Sequence, residues 1–394
     1  MLRFLQIGVL MTGLVGQGVI FGSAPPVLPA ISEHFGGGVS GQFAAQMMMS
    51  LPAFGLMGGG LLSGWIIVRA GPRPVLLIAL FLFGVFGAAP VLVDDLIGFL
   101  ASRLALGIVA ACLTTACATL LVETLEGRKR VTVIGYQSAL GHVFGILVIY
   151  LAGFIVQQSG WRASFLIYAG FAAAGLAMAT TAPRSSRRAA RANGNEGVYR
   201  NLRSFARVGW ILTVTPMMYV ILGLLTIQLP FLLREDGLGA PVTTAVIVGM
   251  VMVSGTAASA AFGRIEAVLG GRNIMSFALA ILGSALLLIG VSRSAITTAI
   301  GALLGGLAGG VTSPFVWQSM MQQASVAIRD VALGLMNTAV FLGMFLNPFV
   351  ATGIQQLIGV HMTFIAMGLA CLAAFTATLL VRGFRPTPSR SDEE

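Results

Sequence analysis

The chain has 394 residues, of which 57% are hydrophobic and 9% charged, with a net charge of +10. Soluble domains carry about 25% charged residues, so this composition excludes a soluble domain, a disordered chain and a disulfide scaffold. It predicts an all-α polytopic membrane protein, because about 33 residues per span and loop leaves room for twelve helices of about 20–25 residues.

In chain order the hydrophobic runs fall at 5–31, 42–67, 74–93, 96–122, 131–157, 163–182, 208–233, 241–263, 273–291, 295–321, 331–356 and 361–381. Each is too long for a buried strand or a core helix. The first reads as a span rather than a cleaved signal peptide: its apolar run is too long, and Pro25, Pro26 and Pro29 interrupt its far end. The one long polar stretch, 183–207, holds seven arginines and divides the chain. The expected organisation is an N-terminal six-helix bundle at 1–182, a cytoplasmic basic linker at 183–207, a C-terminal six-helix bundle at 208–381 and a cytoplasmic tail at 382–394. Residues 199–207 read as a short basic helix on the inner leaflet.

Twelve spans put both termini on one side. That side collects 19 of the 23 basic residues, while the opposite side holds Arg162, Arg234 and Arg293. Loop arginines and lysines favour the cytoplasm, so the topology is N-in, C-in, in the inner membrane of a bacterium. The basic surplus is therefore a topology signal and a lipid-surface contact, with no nucleic-acid partner. Cys112, Cys117 and Cys371 lie in apolar stretches and read as small core residues. Met47, Met48 and Met49 read as adaptable packing; no metal or cofactor is expected.

The halves repeat at one offset. Gly64-x6-Gly71-x-Arg73 matches Gly263-x6-Gly270-x-Arg272, Arg130-x4-Gly135 matches Arg329-x4-Gly334, and Leu28-Pro29 matches Leu229-Pro230, at offsets of 199, 199 and 201. A duplicated six-plus-six membrane protein points to a transporter with its site between the halves.

These features together resemble the major facilitator superfamily. Gly64-Trp-Ile-Ile-Val-Arg-Ala-Gly-Pro-Arg73 is similar to its loop between spans two and three. Arg103-Leu-Ala-Leu-Gly107 resembles its span-four arginine motif, and Gly160-Trp161-Arg162 resembles the segment that opens span six. The resemblance implies that spans 1, 4, 7 and 10 line the cavity while 2, 5, 8 and 11 rock against each other. It places Gly64, Arg69, Gly71, Arg73, Gly263, Gly270 and Arg272 in the cytoplasmic gate. Two departures stand out. Val68 occupies the position of the family's acidic loop residue, so that the gate lock is either weaker or supplied by Glu123 or Glu126. The span-five Gly-Pro signature of many proton-driven exporters is absent.

Polar side chains in lipid are costly and mark protein- or water-facing surfaces. Span three has none, and spans six, nine and twelve have little beyond hydroxyls and His361, so 3, 6 and 9 should face lipid. Span one carries Gln17; span four Arg103, Thr114 and Thr115; span seven Tyr219, Thr226 and Gln228; span ten Thr312, Ser313, Trp317 and Gln318. Helical spacing puts Arg103, Gly107, Ala110 and Thr114 on one face, and Ser138, His142 and Gly145 on another.

Arg103, about 10 Å below the outer end of span four, either clamps a carboxylate or phosphate or ties helices together through carbonyls. His142, near the midplane of span five, titrates near neutral pH and either carries a coupling proton or hydrogen-bonds within its helix. All thirteen acidic residues sit at span ends, loops or tails. A cation–proton antiporter needs a carboxylate near the midplane, so a neutral or anionic substrate is favoured. Coupling then falls to His142, Glu123 or the substrate itself. Gln17, Gln228, Trp317 and Gln318 suit a polar or aromatic substrate, or else join helices.

The expected protein is a monomeric twelve-helix secondary transporter of a small organic solute, working by alternating access with proton linkage. A drug exporter of the same fold and a transport-inactive sensor or scaffold are the alternatives. An intramembrane enzyme is disfavoured by the absence of Gly-x-Ser-x-Gly, His-Glu-x-x-His and paired midplane carboxylates.

Overall fold

A computed structural model describes residues 2–125, 127–179, 202–325 and 328–383. Most of the basic linker, the tail and Glu126 lie outside the described residues, as do the side chains of Arg272 and Arg329.

The first span is broken. Helix α1 (Leu2–Ser23) passes through a tight turn at Pro25–Val27 into α2 (Leu28–His34). Prolines that cannot donate to a preceding turn end the one helix, and Pro29 in the first turn of α2 starts the other. Then follow α3 (Gly38–Ala70), α4 (Pro72–Ala88), α5 (Leu96–Thr124), α6 (Gly127–Ser159), a short turn at Trp161–Phe165 and α7 (Leu166–Ala179). In the second half, α8 (Leu202–Gly223) runs through a π-helical turn at Leu224–Gln228 into α9 (Leu229–Glu235). The rest are α10 (Pro241–Ala260), α11 (Phe262–Leu269), α12 (Gly271–Val291), α13 (Ala295–Gln323), α14 (Arg329–Ile358) and α15 (Val360–Gly383). Of the expected surface helix at 199–207, residues 202–207 form the opening turns of α8 and 199–201 lie outside the described residues.

Among the described residues, ten segments are long and apolar enough to cross a membrane; α3, bent by 51° after its Gly58–Gly60 run, makes an eleventh. The expected sixth span shows as α7, of 14 residues, before the described chain ends.

The duplication is written into the backbone. Gly71 and Gly270 precede α4 and α12 at φ +84° and +73°; Gly160 and Gly359 end α6 and α14, both at φ +81°. These left-handed angles favour glycine, and each pair is 199 residues apart. Packing repeats too. Gly107 of α5 rests on Pro52 of α3, and Gly306 of α13 rests on Val251 of α10, each so close that a Cβ would strike a carbonyl oxygen. Both pairs are again related by 199 residues.

Helices α1–α7 supply most of one hydrophobic core, which Ile227, Phe231 and Phe341 of the second half join, and α8–α15 supply most of the others, with Ile149 of α6 in one of them. The halves meet along α3 against α14 and α6 against α10. Phe43 packs on Phe349 and Phe54 on Phe345, with ring centroids 5.3 and 4.7 Å apart, and Tyr150 lies against Gly249. The Phe43–Phe349 and Tyr150–Gly249 contacts lie toward the end where α2 and α9 finish, called here the far end, and Phe54–Phe345 lies midway along α3 and α14. Helix α15 begins there, so Leu2 and Gly383 lie at the opposite, terminal end.

Candidate functional site: a cavity between the halves

Below the far-end contacts lies a cavity of about 590 Å³. Helices α8, α10 and α13 form most of its wall, α6 supplies Ser138 and His142, α1 supplies Leu14 and α14 supplies Met344. A second lobe of about 300 Å³ adjoins it, sharing His142, Ser138, Met252 and Met344 and adding Gln17, Gly18 and Phe21. Glycines 305, 306, 309 and 310 of α13 line the larger lobe, and Gly306 and Gly310 let α13 pack directly on the backbone of α10.

The cavity gathers several expected residues from distant parts of the chain. Tyr219, Thr226, Ser313, Trp317 and His142 all line the larger lobe, and Gln17 lines the smaller. The Tyr219 hydroxyl donates to Ser313 Oγ at 3.3 Å. His142 Nδ1 lies 2.8 Å from the Ser138 carbonyl. A carbonyl only accepts, so Nδ1 carries the proton and Nε2 is free to accept one hydrogen bond. His142 stands midway along α6, about 22 Å from its start. Thr226 sits in the π turn, which has a local cause: Pro230 has no N–H to offer the Thr226 carbonyl four residues back.

Other expected residues lie elsewhere. Arg103 does not reach either lobe. It is fully buried, its Nη2 donates to the Phe86 and Gly87 carbonyls of α4 at 2.5 and 2.9 Å, and its guanidinium stands 5.1–6.0 Å from the rings of Phe99, Phe165 and Tyr168. The geometry replaces the anion clamp with a helix tie. Helix α5 as a whole is absent from the lining of both lobes, because Gly107 lets it sink against α3. Thr114 reaches the cavity second-hand, by accepting from Gln17 Nε2 at 3.1 Å. Gln318 turns away and donates to Glu266 Oε1 at 2.7 Å. Glu123 stands one residue before the end of α5, and its buried Oε2 has no hydrogen-bond partner among the described residues.

Gln228 belongs to a latch that closes the far end. Gln46 Nε2 donates across the halves to Gln228 Oε1 at 2.8 Å, and Thr352 Oγ1 donates to Gln46 Oε1 at 2.8 Å. Gln228 Nε2 donates to Asn347 Oδ1 at 3.2 Å, Gln355 Nε2 to Gln228 Oε1 at 3.1 Å, and Gln42 Nε2 to Gln355 Oε1 at 3.2 Å. Gln46, Gln228 and Asn347 are fully buried. Buried amides without such partners would each cost about 1–3 kcal/mol, so the network holds α3 to α14 and to the π turn. Arg234, ion-paired with Glu33, adds a second tie between the halves.

At the terminal end, Arg69 stacks 3.6 Å over Trp65 and Val68 is exposed. Gly64 lies in α3 and Gly263 in α11, while Gly71 and Gly270 break the chain before α4 and α12. Arg73 has a buried Nε without a hydrogen-bond partner among the described residues. Sequence reasoning passed over Met252, Thr256 and Ser259 of α10, which line the larger lobe. Their signal is the spacing 252, 256, 259 on one face of span eight, hidden because small hydroxyls are common in packed membrane helices.

The chain belongs to the Major Facilitator Superfamily, whose sequence model matches residues 10–324. It is therefore a multi-pass membrane transporter of small solutes and not an enzyme. A curated relative, the cis,cis-muconate transport protein of Acinetobacter baylyi (strain ATCC 33305 / BD413 / ADP1), is 29% identical over 123 residues. That match spans 31% of this chain and 30% of the relative. Among solved structures, the nucleoside transporter NupG superposes with a TM-score of 0.76 at 13% identity, over 98% of this chain and 100% of NupG. A D-xylose–proton symporter gives 0.75 at 18% identity, over 98% of each chain. The human organic anion transporter MFSD10 gives 0.65 at 19%, over 95% of this chain and 99% of that one. At these identities the likeness establishes the fold.

Proposed function

We propose that this protein moves a small neutral or anionic organic solute with an aromatic or conjugated plane, by proton-linked alternating access. The carrying observation is the cavity itself: hydroxyls, one tryptophan and one histidine converge there, with no carboxylate among the lining residues. Trp317 offers a stacking face, Tyr219, Thr226 and Ser313 offer hydrogen bonds, and His142 takes the coupling proton. Protonated, His142 neutralises a bound carboxylate; neutral, it releases it. The resemblance of one stretch to a muconate transporter supports this substrate class.

The contacts and the amide latch at the far end support a state open toward the terminal end. Arginine placement supports a cytoplasmic terminal end in a bacterial inner membrane. The gate motif then closes the opposite state, and one chain suffices because both lobes lie within it. Lipophilic cations fit poorly, since nothing on the wall would neutralise them.

The test is a thermal-shift screen of purified protein against charge-sorted solutes. A ligand present at 100 times its Kd stabilises by about 2.7 kcal/mol, enough to move Tm measurably. Anionic or neutral planar solutes should raise Tm, and Trp317→Ala should remove the shift. Selective stabilisation by lipophilic cations would overturn the substrate class.

A further inference from the structure

Two clusters at the far end fall outside the cavity and its latch. In the C-terminal half, Asp236 follows α9, Arg293 lies between α12 and α13, and His361 opens α15. Arg293 Nη1 is 3.1 Å from Asp236 Oδ1, and His361 Nε2 is 3.2 Å from the same oxygen. Arg293 Nη1 also contacts His361 Nε2. In the N-terminal half, His34 ends α2, Asp94 lies between α4 and α5, and Arg162 follows α6. Arg162 is ion-paired with Asp94 and lies 3.5 Å from His34 Nε2.

These are one clamp, duplicated. Asp94 and Arg293 are 199 residues apart, Arg162 and His361 also 199, and His34 and Asp236 202. Each half sets one histidine, one aspartate and one arginine at the three equivalent positions, with the roles permuted. In the N-terminal copy the permanently charged Arg162 takes the carboxylate. In the C-terminal copy the arginine and a histidine compete for it.

His361 is poised between two states. Its Nδ1 lies 3.0 Å from the Gly290 carbonyl and must donate to it. Nε2 is thus the nitrogen that faces Arg293 and Asp236. Its neighbours make opposite demands: Arg293 needs a lone pair there, and Asp236 needs an N–H. The Asp236 side chain is 4% exposed, whereas that of Arg293 is 64% exposed and free to swing into water. The other charges on the adjoining elements are Arg234 and Glu235 of α9; α14 ends in the uncharged Gln355 and Gln356, and α12 presents the Gly290 carbonyl.

We propose that His361 and Asp236 form a proton-binding site that reads the pH of the far side and sets how firmly that side is shut. Taking a proton from far-side water converts Nε2 from an acceptor for Arg293 into a donor to Asp236. The carboxylate is then held by a half-buried partner on α15, and Arg293 is released. Asp236 lies two residues after Arg234, which spans the halves to Glu33, so fixing Asp236 fixes the inter-half tie. The proton favours the far-closed state because a fixed Asp236 holds Arg234 on Glu33 of the other half, a contact that parting of the halves breaks. This inference rests on alternating access but not on the substrate or on His142.

Spin labels at Val39→Cys and Leu357→Cys, on α3 and α14 at the far end, report the gap in an otherwise cysteine-free full chain in nanodiscs. Lowering the pH from about 7.5 to about 5.5, across histidine's ordinary range, should raise the closed-to-open ratio at least about threefold. His361→Gln and Asp236→Asn should each abolish that response; Arg293→Gln should keep it. Persistence of the response in His361→Gln overturns the proposal, as does a wild-type gap indifferent to pH. Loss of the response in His142→Gln alone would assign the sensing proton to the cavity and overturn it equally.

Discussion

Arg103 teaches most at the scale of a residue. Its rarity in an apolar span suggests an anion clamp, yet Nη2 is taken by two carbonyls, three rings box the guanidinium, and Nη1, without a partner among the described residues, is buried away from both lobes. Arg103→Ala should therefore lower Tm, since each carbonyl left without its donor costs about 1–3 kcal/mol. Arg103→Lys should recover part of the loss. Ligand binding in whatever protein stays folded should be near wild type. A Tm unchanged in Arg103→Ala, with binding abolished, would restore the clamp. Sequence could not separate the two readings, because both need a buried arginine in span four; the difference lies in which wall it faces. His142, Tyr219, Ser313 and Trp317 were legible because polar groups in lipid-depth helices must face something polar.

Among the elements, the spans and the twofold repeat were readable from hydropathy and from motif spacing. The recess of α5 and the breaks in the first and seventh spans required the structure. Close approach at Gly107 and Gly306 is a property of two helices together, and a sequence rich in glycine does not reveal which ones touch. Gly306→Ala and Gly107→Ala should each destabilise by about 1–3 kcal/mol, the ordinary cost of forcing extra volume into a packed contact. Gly58→Ala, with nothing within 4 Å, is the control and should match or exceed wild type. Equal Tm values for all three would mean that the two contacts do not govern the packing. The π turn invites a parallel test. Pro230→Ala restores a donor to the Thr226 carbonyl, so it should rewind the turn, displace Gln228 from Gln46 and increase labelling of far-side cysteines. Unaltered labelling would show that the turn does not hold the latch.

For the whole molecule, charge and geometry agree. Each arginine assigned by sequence to the far side, Arg162, Arg234 and Arg293, is ion-paired with an acidic neighbour, so that face presents little free positive charge. The two exposed pairs, Arg162–Asp94 and Arg234–Glu33, contribute little to stability, about 0–1 kcal/mol each; the value of Arg234–Glu33 is in biasing one arrangement of the halves over another. A cavity closed by neutral amides above and bounded by a histidine is the observation behind the proposed proton-linked carriage of a small solute. The most direct test is uptake of a radiolabelled unsaturated dicarboxylate into proteoliposomes under an imposed pH gradient, in wild type and His142→Gln. Wild-type accumulation that collapses with the gradient and falls at least about tenfold in His142→Gln is the predicted result. Gradient-driven accumulation that survives unchanged in His142→Gln would contradict the coupling mechanism proposed here.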